Sequence, residues 1–193
     1  MSKTTILFRG PVETRSGYGG HARDLLFALR EMNLFEIYVD SCPWGHTPMT
    51  ALQPDNEFHE WIKTKKVSRF DGLPDIYIQV TVPNEFRRFG KYNIGITAGI
   101  ETTVAPIEWV HGCNQMDLVI TTSNFSRDVL LQTVYNENDK NNGRLIKQHK
   151  IEKPIKVLFE GIDKNIFNNN PSIDFDLSIE QDFAFLFVGH WLK

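Results

Sequence analysis

The run Gly10, Pro11, Val12, Glu13, Thr14, Arg15, Ser16, Gly17, Tyr18, Gly19, Gly20, His21, Ala22 places glycines and small hydroxyl residues just ahead of an apolar stripe. Glycines there let the backbone approach a phosphate, and the N-terminus of the helix that follows offers N–H groups and positive partial charge. Gly17, Gly19 and Ala22 fit the G-x-G-x-x-G/A spacing, and Asp40 lies about 20 residues on, where an acid would take a ribose hydroxyl. That fingerprint puts its first glycine directly after a strand. Here residues 10–16 intervene, with a proline and two charged side chains. A nicotinamide-dinucleotide site is thereby disfavoured, and a glycine turn without a ligand stands beside it.

A second stretch runs through Gly99, Ile100, Glu101, Thr102, Thr103, Val104, Ala105, Pro106, Ile107, Glu108 and Trp109. Glu101 has two readings of equal weight. It could accept hydrogen bonds from sugar hydroxyls or hold a catalytic water, or it caps the next helix. Trp109 reads as a core or interface residue. A third stretch is Phe159, Glu160, Gly161, Ile162, Asp163. Gly161 suits a tight turn, and Asp163 reads as a turn stabiliser before it reads as a ligand contact.

Other chemistry fails on spacing. His59 and Glu60 are followed by Lys63 where a zinc helix needs its second histidine. Cys42 and His46 lack two further ligands, and His111 and Cys113 point to different faces of a helix. Neither a G-x-S-x-G elbow nor a Walker A sequence occurs. No metal site is expected. The basic cluster Lys63, Lys65, Lys66, Arg69 and the pair Arg87 and Arg88 read as solvated surface, with peripheral membrane contact as the lesser reading.

These stretches need elements to position them. Thr5, Ile6, Leu7 and Phe8 form a β-rich run. Ala22, Leu25, Leu26 and Leu29 then recur at i, i+3, i+4 and i+7, an amphipathic helix. Further strands are expected over residues 35–39, 75–80, 92–97, 118–121 and 155–159. Helices are expected over 56–66 and 106–115, with another after Ser123. Alternating strands and helices imply an α/β, Rossmann-like parallel sheet with helices on both faces. The glycine run and the Glu101 stretch both fall at the carboxyl edge of that sheet, where ligands of open α/β sheets bind. Residues 136–150 are polar and read as a mobile loop. Residues 168–172 read as a linker. Phe183 to Val188 form a very apolar strand, of a kind normally buried inside a sheet.

Composition narrows the class. The chain has 193 residues, 41% hydrophobic and 23% charged, which excludes disordered, collagen-like and coiled-coil chains. A formal net charge of −3 disfavours a general nucleic-acid binder. Two cysteines, Cys42 and Cys113, make no disulfide framework and read as thiols of a reducing compartment. No apolar run approaches the roughly 18 residues of a membrane span. The apolar N-terminal run is too short for a signal peptide, so the expected location is cytoplasmic. The sequon at Asn124 then carries no meaning.

The stretches together resemble the N-terminal domain of retaining GT-B glycosyltransferases of family 4, also called group 1. Gly10 and Pro11, then Ser16 to Gly19, then Ala22, Arg23, Leu25 and Leu26 look like that family's opening loop and helix. Glu101, Thr102, Pro106 and Trp109, followed by Asp117 to Ile120 and Ser123 to Ser126, look like a subgroup's E-T…P…W…D-x-V…S-x-F-S pattern. Residues 157–167 resemble its V-x-P-x-G-V-D…F turn, with Phe159 and Glu160 replacing the usual Pro-His or Pro-Asn. Residues 185–189 and Lys193 resemble the first strand of its C-terminal domain.

The resemblance covers nearly the whole chain and implies one half of a two-domain enzyme. Residues 1–170 would be the acceptor-side domain, and 171–193 a linker and the first strand of an absent donor-binding domain. A sugar or glycoconjugate acceptor and a nucleotide-sugar donor are the implied partners, with no resident cofactor and no metal. Gly17, Tyr18, Gly19, Gly20, His21, Glu101 and Thr102 are the implied substrate-binding residues. The family's diphosphate-holding basic pair and its E-x7-E element belong to the other domain, so the expectation is no useful sugar transfer by this chain alone. The alternative is a non-catalytic binding or assembly module, with residues 183–188 docking a partner domain or a second copy.

Overall fold

The computed structural model describes residues 3–165, 168, 178–180 and 182–186. These fall into two compact units, residues 1–160 and 161–193.

The first unit is α/β. Strands β1 (Thr4–Gly10), β2 (Phe35–Ser41), β3 (Ile76–Val80), β4 (Tyr92–Thr97), β5 (Leu118–Thr121) and β8 (Ile155–Val157) form one six-stranded sheet in the order β2-β1-β3-β4-β5-β8. Every pairing in it is parallel. Helices α1 (Gly17–Met32), α2 (Glu57–Lys65), α3 (Ile107–Cys113) and α4 (Asn124–Gln132) lie in four of the connections, and β3 joins β4 through a 3-10 turn, Pro83–Glu85. A six-stranded parallel sheet flanked by helices is compatible with a Rossmann-like fold.

Alternation along the strands sorts the two faces. Ile6, Phe8, Ile37, Val39, Ile78 and Ile96 form one core with Ala22 and Leu26 of α1 and Ile62 of α2. Helix α2 lies beside α1, joined by the edge contact of Phe27 with Phe58 and by the Arg30–Glu57 ion pair. On the other face Phe86 packs against Gly95 and shares a second core with Val110, Cys113, Met116, Val119 and Leu130. Burying each such large side chain contributes about 1.5–3 kcal/mol.

The expected elements form, with shifts of a residue or two at most ends, and the strand expected over 155–159 stops at Val157. Two expectations are corrected. The loop expected over residues 136–150 is largely a hairpin. Strands β6 (Tyr135–Asn138) and β7 (Leu145–His149) pair there as an antiparallel hairpin. Its turn is tied by Asn141 N–H and Asn142 Nδ2 donating to Asp139, and Gly143 takes a φ of +70°. Both faces of that ribbon are largely exposed, so it shows no apolar alternation to read. The expected strand over 183–188 is not formed by residues 183–186, which make no strand pairing. Phe183, Phe185 and Leu186 are 72%, 92% and 88% exposed. Residues 187 and 188 lie outside the described residues, as does most of the expected linker.

Candidate functional site

Strand β1 lies between β2 and β3, so the chain leaves it in one direction and returns in the other. Such a reversal opens a crevice beyond the carboxyl ends of the strands. The elements bordering it are the 10–16 loop, the first turn of α1 and the 98–106 loop after β4.

The 10–16 loop is a folded plug. Val12 and Thr14 are fully buried. Thr14 N–H and Oγ1 both donate to Pro11 O at 2.9 Å, and Arg23 Nη1 donates to the carbonyls of Val12 and Thr14 at 2.9 and 3.0 Å. Lys66 pairs with Glu13 at 2.8 Å. Burial works to raise the Glu13 carboxyl, yet it lies below its ordinary value, drawn down chiefly by the bonded Lys66 ammonium. This packing is why the residues between strand and helix are needed, and why the glycines start late. Ser16 then caps α1, its Oγ accepting from Gly19 N–H at 3.0 Å.

The three glycines divide by role. A Cβ on Gly19 would stand 2.4 Å from Thr14 O, so that glycine is required by the plug. A Cβ on Gly17 or Gly20 would meet nothing within 4 Å, so these two present open backbone at the helix N-terminus. Tyr18 reaches across the crevice. Its hydroxyl bonds Thr97 Oγ1 at 2.9 Å and accepts from Ala98 N–H at 3.1 Å. Its ring stacks on Trp44, with centroids 4.1 Å apart. Burial raises the Tyr18 phenol, and the charges of Glu101 and Glu85 add to that effect. The phenol therefore stays neutral and acts as a strut.

His21 Nδ1 lies 3.3 Å from Glu160 Oε1, which makes an ion pair when the imidazole is protonated. Asp24 stands close by. Burial raises its carboxyl, His21 and Arg23 draw it down, and Glu160 raises it further. Glu101 is exposed in the 98–106 loop and does not cap α3, whose N-cap is Pro106 with no side-chain bond. Thr102 is exposed too, its Oγ1 donating to Val104 O at 2.9 Å. The loop starts at Gly99, where φ is +99° and a Cβ would fall 2.1 Å from Ser126 Oγ. Trp109 packs partly buried against the second core. Asp163, in the second unit, accepts from Asn165 N–H at 2.8 Å, the turn-stabilising role expected of it.

The first turn of α1 and the 98–102 loop thus meet through Tyr18. Their exposed groups offer a backbone N–H at Gly17 and a carboxylate acceptor at Glu101, while the Gly20 N–H is taken by Ser16 O at 2.9 Å. Sequence reasoning missed Trp44, Thr97, Asp24 and the pairing of Glu160 with His21. Nothing in their spacing marks them as a set, since Trp44 follows β2, Thr97 ends β4, Asp24 lies on α1 and Glu160 follows β8. Asp40 faces away from this crevice and pairs with Arg9 on the opposite side of the sheet. Among the described residues no group of three or more His, Cys, Asp and Glu side chains could hold a metal ion, and no helix is long and apolar enough to cross a membrane. No protein-family model, curated protein or solved structure matches the chain.

Proposed function

We propose that this chain is the acceptor-side half of a nucleotide-sugar-dependent retaining glycosyltransferase, with no useful transfer on its own. The observation that supports the reading most is the meeting at the β1/β3 crevice. Open backbone at Gly17 and Gly20 stands at a helix N-terminus, and Tyr18 links that turn to the loop carrying Glu101 and Thr102. In this reading the helix end stabilises negative charge developing on a leaving diphosphate. Glu101 and Thr102 take acceptor hydroxyls, and His21, set by Glu160, borders the same space. The diphosphate-holding groups come from another domain.

The test is an amide NMR titration of the 193-residue chain with UDP-glucose, GDP-mannose and NAD, each run separately. The reading expects weak shifts at Gly17, Gly20, Glu101 and Thr102 with a nucleotide-sugar, and no sugar release in a coupled assay. Shifts there with NAD alone would replace it with a dinucleotide site. Robust turnover would refute the claim that the chain is inactive alone.

A further inference from the structure

Among the described residues no helix covers the sheet's second face where β2, β1 and β3 lie side by side. Because α2 packs beside α1, the chain from β2 to β3 returns over this face through non-helical residues 66–75. The β3–β4 connection returns likewise, through the 3-10 turn Pro83–Glu85 and residues 86–91. Between the two returns lies a cleft of about 840 Å³. Small-molecule sites typically measure about 300–1,000 Å³.

Strand alternation decides its floor. The same period that turns Ile6, Phe8 and Ile78 to α1 turns Leu7, Arg9, Tyr77 and Gln79 into the cleft. Gln79 is 2% exposed, yet it is spent on the wall. Its Nε2 donates to Glu85 O at 2.8 Å and its Oε1 accepts from Arg87 N–H at 3.0 Å. The wall is therefore fixed in place. Arg9 and Asp40 pair through Nη1 and Oδ2. Asp40 Oδ1 and the other guanidinium N–H groups have no protein hydrogen bond among the described residues. Two aromatic rings flank them. Phe70 meets Tyr38 edge-on at 5.1 Å, and Phe89, 42% exposed, tilts against Tyr77 at 5.8 Å.

Charge separates the candidate ligands. The lining guanidiniums have local partners: Arg9 with Asp40, Arg69 with Asp71, and Arg88 with Asp117. Arg87 donates to the carbonyls of Asn84 and Phe86 on a rim it shares with Glu85. Of the four lining guanidiniums only Arg87 lacks a carboxylate partner, so an anion would gain little from the other three. A neutral ligand that both donates and accepts hydrogen bonds, and has apolar faces for the rings, uses every group present. We propose that this cleft binds a short neutral saccharide, its C–H faces on Phe70 and Phe89 and adjacent hydroxyls on the Arg9–Asp40 pair. The site is separate from the carboxyl-edge crevice and stands whether or not the chain belongs to a transferase.

The experiment is an amide NMR titration of the full chain with maltotriose, mannotriose and galactotriose, and with UMP as the anionic control. At least one trisaccharide should give saturable shifts at Arg9, Tyr77 and Phe89, with a Kd on the order of 1 mM. Asp40→Asn should weaken it about tenfold, the loss of one charge-assisted hydrogen bond. Phe89→Ala, a surface change that leaves the sheet intact, should weaken it about threefold through lost ring contact. The proposal is overturned if no trisaccharide saturates by about 20 mM, a level well above that Kd. It is equally overturned if the shifts fall only at Gly17, Gly20, Glu101 and Thr102, or if UMP alone saturates the cleft.

Discussion

Adjacent glycines in α1 have opposite constraints. Gly19 sits against the plug, where a methyl would meet Thr14 O at 2.4 Å, Thr14 Oγ1 at 2.7 Å and Pro11 O at 2.9 Å. Backbone cannot yield cheaply, so Gly19→Ala should destabilise by about 1–3 kcal/mol. Gly20 has helical backbone and open space, so Gly20→Ala should stabilise by about 0.4–1 kcal/mol. Urea unfolding of both variants checks the difference in sign. Ligand binding at the helix end would run the other way, since the Gly20 methyl would obstruct it. Acid behaviour also has an identifiable residue. Asp75 accepts from Lys91 Nζ at 2.7 Å and from Thr5 N–H and Oγ1, both at 2.9 Å. Those bonds hold its carboxyl at about 2 against an ordinary 3.8. The folded value lies below the unfolded one, so its stabilisation is full above the unfolded value and fades as pH falls toward 2. Asp75→Asn should lower the midpoint temperature at pH 7 and flatten its fall between about pH 4 and 2. An unchanged acid limb in a thermal scan would assign that limb to other carboxylates, Asp117 foremost. There burial raises the carboxyl, but bonds from Asn93 and Arg88 outweigh it and hold it low.

The crevice depends on one cross-link between elements, the Tyr18 hydroxyl joining α1 to the end of β4. Tyr18→Phe keeps the stack on Trp44 and removes that bond pair, which should cost about 0.5–1.5 kcal/mol. The loss should be local, so hydrogen exchange should quicken at residues 98–102 and stay unchanged in β1 and β3. Uniform quickening would mean that the strut supports the whole sheet. Which parts of this arrangement were legible in the sequence follows from the kind of signal each carries. The helix stripe of Ala22, Leu25, Leu26 and Leu29 and the apolar strand runs are local patterns, and the sheet follows from their alternation. Ser123 was readable as a cap because capping is a bond over three residues, and Ser126 N–H donates to its Oγ at 3.1 Å. The β6–β7 hairpin left no such trace, since most of its side chains face water and only Tyr135 and His149, at its ends, are partly buried. At the crevice, Gly17 and Gly20 were legible as open backbone ahead of a helix. Gly19 looked the same, because its reason is a contact with Thr14 that only the folded loop creates. The cleft on the second face was illegible for a related reason: it exists because α2 packs beside α1, a choice that no spacing records.

Across the whole molecule, the two units differ in what they bury. Residues 1–160 hold both apolar cores and the six-stranded sheet. In residues 161–193 the described apolar side chains are exposed, with Phe183 and Phe185 meeting edge-on at 5.0 Å and Leu186 beside them. Exposed aromatic clusters of this kind favour association. A chain ending at Asn165 keeps Glu160 opposite His21 and the Asp163 turn, and removes the apolar run. It should unfold cooperatively within about 3 °C of the full chain, since roughly 1 kcal/mol shifts a chain of this size by about 2–4 °C. Sedimentation velocity should show the full chain associating with rising concentration and the shortened one remaining monomeric. Phe185→Ser in the full chain separates sequence from length, and it should weaken association without lowering the midpoint. A shortened chain that unfolds early would mean that residues beyond 165 stabilise the first unit. A full chain that stays monomeric would show that the run 183–186 does not drive self-association, and the alternative reading of a docking module would lose its support from this segment.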